Sequence, residues 1–229
     1  MSHLYDPAHP TITPRIAAEL IHHEGLVREA YRDSVGVWTW SVGITDASGH
    51  RVGRYRDQPQ PLSRCLEVYL WALQNRYLPA VLDAFGAVRP EEHELAAALS
   101  FHWNTGAIGR AEWMRHLRES DRKRARRAML DWCRPASLAT RRKREQALFF
   151  EARWAGDGTA IVYEVAKPSY QPTRGKRHPM LDTLTLLLGG GPARDAEPTG
   201  AEFDQGPTKQ CADNSDQSGE NWFTRLFTC

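Results

Sequence analysis

Glu24, Asp33 and Thr39 fall within one short stretch of this chain, separated by eight and then five residues. Together they could hydrolyse a glycosidic bond. That reaction needs two carboxylates with different duties: one protonates the leaving oxygen, and the other activates water or acts as a nucleophile. A hydroxyl beside the second carboxylate can hold the water. The trio is useful only if the fold aims all three groups at one cleft, so the elements around them decide the matter.

Thr13-Pro14 is a strong helix start, with a hydroxyl at the cap and proline at the first helical position. Ile16, Ala17, Leu20 and Ile21 follow at helical spacing, and Gly25 stops the helix. Glu24 therefore stands at a helix C-terminus, where the backbone dipole disfavours a negative charge, as suits a proton donor. From Tyr31 to about Arg56, strand formers such as Val35, Val37, Trp38 and Trp40 alternate with Gly36, Gly43, Gly49 and Gly53. The pattern predicts a small antiparallel sheet of short hairpins, with Asp33 and Thr39 on it. Trp38 and Trp40 share a strand face and are expected to pack that lobe.

Helical periodicity resumes at Ser63 and runs to about Phe85, long enough to bridge two lobes, with a break expected at Pro79. A further helix begins after Pro90, buries Leu95, Leu99 and Trp103, and ends at Asn104-Thr105-Gly106. Others are expected around 111–119, 121–132 and 135–154. Trp103 and Asn104 are candidate glycan contacts, since sugars stack on aromatic faces and bond to amides; a core position suits Trp103 equally well. The adjacent histidines His22 and His23 point in different directions on a helix, so a metal site there is not expected. After Ala166, prolines and Gly189-Gly190-Gly191 predict a flexible segment. The expected organisation is a leader over 1–12, a catalytic body over 13–165 and a flexible acidic tail over 166–229. Within the body the small lobe covers about 31–57 and the helical lobe about 86–160.

The 229 residues carry 30 Lys and Arg against 28 Asp and Glu, a net charge of +2 that conceals an asymmetry. Between Arg110 and Glu145 there are 13 bases and 5 acids; from Asp195 to Cys229, 2 bases and 7 acids. A basic body suits an anionic polymer, whether cell-wall glycan, lipopolysaccharide or nucleic acid, although a solvated face explains the arginines at 122–127 as well. The first residues have neither a basic nor an apolar region of the kind a signal peptide needs, and no apolar run approaches 18 residues. Cys65, Cys133, Cys211 and Cys229 form no Cys-x-x-Cys pair and no zinc-like spacing with histidine, so free thiols and no metal or other cofactor are expected.

The segment Glu24-Gly25-Leu26, Tyr31-Arg32-Asp33 and Gly36-Val37-Trp38-Thr39, with its triad spacing, resembles the phage T4-type lysozymes, the endolysin muramidases of glycoside hydrolase family 24. The resemblance extends through 96–106, similar to that family's helix ending in an aromatic-Asn-x-Gly element, and through the arginine-rich run 141–149. It covers about 13–157. The resemblance implies an α+β, lysozyme-like fold in which a long helix joins a small hairpin lobe to a mainly helical one. It further implies that Glu24 protonates the bond between N-acetylmuramic acid and N-acetylglucosamine in peptidoglycan. Asp33 and Thr39 would then position the water, with inversion at the anomeric carbon. The implied partner is bacterial peptidoglycan, met by a monomer made in the host cytoplasm and released through a holin or docked on a virion by its tail, with no nucleic-acid partner.

Two departures mark the chain. Where the family has Ile-Gly-Tyr-Gly-His-Thr after its threonine, this sequence reads Trp40-Ser41-Val42-Gly43-Ile44-Thr45, so Ser41 replaces a glycine and Ile44 a histidine. Rival readings are a lytic transglycosylase, which would not need Asp33 or Thr39 for a water, and a glycan-binding or virion-associated protein that has lost catalysis.

Overall fold

The computed structural model describes residues 5–189. Helix α1 (Pro14–Glu24) begins as its sequence demands: the Thr13 hydroxyl accepts the Ile16 N–H at 3.1 Å, with Pro14 in the first turn. It ends because Gly25, at φ +68° and ψ −178°, adopts a conformation essentially reserved for glycine, while its N–H still bonds to the Ile21 carbonyl. That sharp exit turns the chain at once into β1 (Leu26–Arg32), which pairs antiparallel with β2 (Trp38–Ser41) and, through it, with β3 (Ile44–Thr45). The first strand thus begins five residues before the expected Tyr31 boundary, since nothing separates it from the helix except Gly25.

The long connection is interrupted as expected, with a difference in where. Helix α2 (Leu62–Ala72) passes into a π-helical turn, Leu73–Tyr77, before α3 (Leu78–Phe85). Pro79 has no N–H to give the carbonyl four residues back and clashes with it, so the irregularity lies in the turn before the proline. Helix α4 (Glu92–Thr105) opens with a capping box between Glu91 and Glu94 and closes on Gly106 at φ +64°. Three more helices, α5 (Glu112–Arg118), α6 (Arg122–Met129) and α7 (Ala139–Glu151), complete the helical lobe. The last of them stops at Ala152, in the left-handed region, short of the expected Trp154. One continuous apolar core, with Trp113, Phe101, Phe85 and Phe149 fully buried, joins the helices to the sheet.

The expected flexible tail requires correction over 166–189, and its remainder, 190–229, lies outside the described residues. Strands β4 (Thr159–Ala166) and β5 (Gln171–Pro179) form a hairpin, and α8 (Leu181–Gly189) packs on α1 with Leu184 fully buried. Because β4 lies parallel to β1, the sheet is a mixed one of five strands in the order β3-β2-β1-β4-β5, not an antiparallel hairpin set alone. Of the prolines that suggested disorder, Pro168 sits at the turn and Pro172 and Pro179 lie on the edge strand β5, where a missing N–H is tolerated. The apolar patch expected at 222–227, with Cys211 and Cys229, lies outside the described residues. Among those residues no helix is long and apolar enough to cross a membrane.

Candidate active site

Glu24, at the last turn of α1, is fully buried. Its Oε1 is paired with Nη1 of Arg141, from α7. Arg141 also donates from Nε to Glu145 at 2.9 Å and from Nη2 to the Ser100 carbonyl at 3.1 Å. Glu145 in turn accepts from the Ser100 hydroxyl at 2.7 Å and pairs with Arg142, whose Nη2 donates to the side-chain oxygen of Asn104. Burial by itself would lower the Arg141 guanidinium, but the charges of Glu24 and Glu145 outweigh it and hold it above its ordinary value. Burial would likewise raise Glu145, and Arg142 and Arg141 hold it below the usual carboxylate range. A buried chain of alternating charge therefore runs from α1 through α7 to the end of α4.

Three tyrosines surround Glu24. The phenols of Tyr31, Tyr69 and Tyr77 are all pushed up, first by burial, and each feels the Glu24 charge. Tyr77 belongs to the π-helical turn ahead of Pro79. Tyr31 also feels the Asp33 charge. In the β1–β2 register Tyr31 is the partner of Thr39, and paired residues project from the same face of a sheet. Thr39 is buried and donates from its hydroxyl to the Val37 carbonyl at 3.2 Å. Asp33 is half-buried and ties its own turn, Oδ1 accepting the N–H groups of Val35 at 3.0 Å and Val37 at 2.8 Å. Glu24 and Asp33 thus both act on the buried phenol whose strand partner is Thr39.

Trp103 is half-buried against Tyr69 (centroids 5.3 Å) and Tyr77 (4.3 Å). Asn104 has its side-chain oxygen held by Arg142, so it serves the charged chain first. Sequence reasoning missed Arg141 as a site residue, because an arginine in a run of five charged residues reads as solvated. The available signal was spacing: Arg141 and Glu145 stand one helical turn apart on the helix that packs against α4. The arginines of α6 are exposed, and Arg122, Arg124 and Arg126 pair with Glu94, Asp121 and Glu151. Of the two histidines, His23 is buried and lies 3.4 Å from Glu19, and His22 is half-buried. Among the described residues no group of three or more His, Cys, Asp or Glu is disposed to hold a metal ion. Cys65 and Cys133 are free thiols, and burial pushes the Cys65 thiol up to about 12.

Both departures have local explanations. Ser41 takes φ +55°, the conformation that makes glycine usual at such a position, and its hydroxyl donates to the Cys65 carbonyl at 2.9 Å. Ile44 is a buried core residue opposite Trp40, which stacks on Tyr55 at 3.9 Å.

Residues 21–145 match the family model described as phage lysozyme. Among solved structures, an endolysin from Escherichia coli O157:H7 phage FAHEc1 superposes with a TM-score of 0.56 at 20% identity, covering 65% of this chain and 98% of that one. A mutant of P22 lysozyme gives 0.52 at 24% identity, covering 62% and 99%. No curated protein sequence matches significantly. These likenesses give the fold as lysozyme-like, α+β.

Proposed function

The chain belongs to the phage lysozyme family, and on that premise we propose that it is a T4-type endolysin that hydrolyses bacterial peptidoglycan at the β-1,4 bond between N-acetylmuramic acid and N-acetylglucosamine. Glu24 is the general acid. Its Oε1 faces Arg141. Asp33 and Thr39 hold the attacking water on the opposite side of the bond, and the product emerges with inverted anomeric configuration. The observation that carries this reading is the buried Tyr31 ring, which feels both Glu24 and Asp33 and is the strand partner of Thr39. The enzyme works as a monomer that needs no cofactor. It is made in the host cytoplasm and reaches the wall through a holin or as part of a particle.

The test is a digest of purified peptidoglycan by wild type and by Glu24→Gln, with soluble muropeptides analysed by mass. General acid catalysis is worth roughly 10²–10⁴-fold, so reducing muramic ends should be released by wild type and nearly absent with the variant. Anhydro-muramic ends would identify a transglycosylase instead, and no release by either protein would indicate a glycan-binding role.

A further inference from the structure

The turn between β4 and β5 lies beyond the family-matched stretch, yet it grips the hairpin that carries Asp33 and Thr39. The Arg32 N–H, one residue before Asp33, donates to the Tyr170 carbonyl at 2.8 Å. The Trp38 ring, one residue before Thr39, meets the Tyr170 ring edge-on with centroids 5.1 Å apart. Arg56 lies over both rings, at 5.4 Å from Trp38 and 4.9 Å from Tyr170, and donates from Nε to the Tyr170 hydroxyl at 3.1 Å. That hydroxyl donates to the Asp57 carboxylate at 3.0 Å. Asp57 also accepts from Lys167 at 2.6 Å, and the Lys167 ammonium sits 3.9 Å above the Tyr170 ring and pairs with Glu29 on β1. Tyr163 and Val165 of β4 also pack against Val27 and Tyr31 of β1.

A two-stranded hairpin alone is marginally ordered in water, and a misplacement of about 1 Å at a reacting group can cost on the order of 10²-fold in rate. The Asp33 turn bonds to itself, so its placement relative to Glu24 depends on what holds the strands below it. One residue touches both strands next to both polar groups, with its carbonyl at Arg32 and its ring at Trp38. We propose that Tyr170 is a positioning residue for Asp33 and Thr39, so that the C-terminal β-hairpin is part of the catalytic unit. This rests on the reading that Asp33 and Thr39 hold the water.

The test compares kcat and KM of full-length Tyr170→Ala and Tyr170→Phe on soluble peptidoglycan fragments, corrected for the folded fraction at assay temperature. Tyr170→Ala should lower kcat about tenfold or more with KM changed less than about twofold, because placement and not ground-state binding is lost. Tyr170→Phe, which keeps the ring against Trp38, should recover most of the rate. In an Asp33→Asn background, Tyr170→Ala should add little further loss, since both act on the same water. Wild-type kcat in Tyr170→Ala, or a loss of equal size in both backgrounds, would overturn the proposal. If Tyr170→Ala does not fold, Arg56→Gln, which removes the guanidinium lying over both rings, carries the same comparison. Full activity of Asp33→Asn alone would instead sink the assignment of Asp33 and leave the clasp without a catalytic object.

Discussion

Arg141 and Glu24, 117 residues apart, form an ion pair in which both side chains are almost entirely removed from solvent (7% and 0% exposed). The pair joins α7 to the end of α1, and Arg141 reaches Glu145 and Ser100 with its remaining donors. A guanidinium can span these acceptors because it is a planar fork; an ammonium is a single point. Replacing Arg141 by methionine strips Glu24 of its arginine while leaving the carboxylate buried, a situation that costs roughly 3–5 kcal/mol. Arg141→Lys should recover only part of that. Urea unfolding checks both variants: the Met variant should show a lower midpoint at unchanged slope, and a change under about 1 kcal/mol would mean that Glu24 finds another partner.

Ser41 combines a strained backbone with a useful side chain, so its two smallest substitutions should behave differently. Ser41→Ala keeps the non-glycine penalty at φ +55° and loses the bond to the Cys65 carbonyl, and should cost about 1–2 kcal/mol. Ser41→Gly loses the same bond but relieves a backbone penalty of about 1–2 kcal/mol, and should be close to neutral. Thermal melts of the two variants side by side would decide it. Equal destabilisation would show that the backbone at this position carries no strain.

What the sequence disclosed, and what it withheld, follows from the range of the interactions involved. Thr13, Gly25, Pro79 and Gly106 act on their own backbone neighbours, so helix ends and the long-helix interruption were legible at the residue level. The α+β, lysozyme-like class followed from the motif around Glu24. The register that makes Tyr31 the partner of Thr39, the parallel pairing of β4 with β1 and the role of Arg141 were not legible. Each depends on residues brought together from distant parts of the chain. The stretch 166–189 escaped the sequence for a related reason: β5 is an edge strand whose polar and proline content looks like disorder until a neighbour pairs with it.

Acid should weaken the fold before it protonates the paired carboxylates. His50, stacked on Trp40 and bonded to Tyr55 at 2.9 Å, is pushed down from 6.5 to about 4 by burial and then by Arg54 and Arg64, and burial does the same to His102. Both are neutral when folded and take up a proton near 6.5 when unfolded, so their stabilisation is complete above pH 6.5 and lost as pH falls toward 4. His22 is lowered by burial and adds in the same direction. Each unit of such a shift is worth about 1.4 kcal/mol at most, with half-buried His102 giving less than His50. Unfolding free energies at pH 7, 6 and 5 should therefore decline, and His50→Phe, which keeps the stack on Trp40, should flatten the decline. A pH-independent midpoint across that range would contradict the buried-histidine account.

The C-terminal hairpin and α8 should prove to be structural members of the domain. Gly158 precedes β4 at φ +81°, and a Cβ there would lie 2.4 Å from Cδ1 of Leu181, the first residue of α8. Gly158→Ala therefore combines a left-handed backbone penalty of about 1–2 kcal/mol with a clash that the exposed Leu181 side chain must turn away to relieve. Deleting 168–229 is the more severe form of the same experiment. It removes β5 and α8 and takes away the cover of Ala160, Val162 and the α8-facing side of α1. Circular dichroism melts should show a lowered transition for Gly158→Ala and loss of a cooperative transition for the deletion. A deletion variant as stable as the full chain would show that α1 and β1 hold their positions, and hence Glu24 and Asp33 theirs, without β5 and α8.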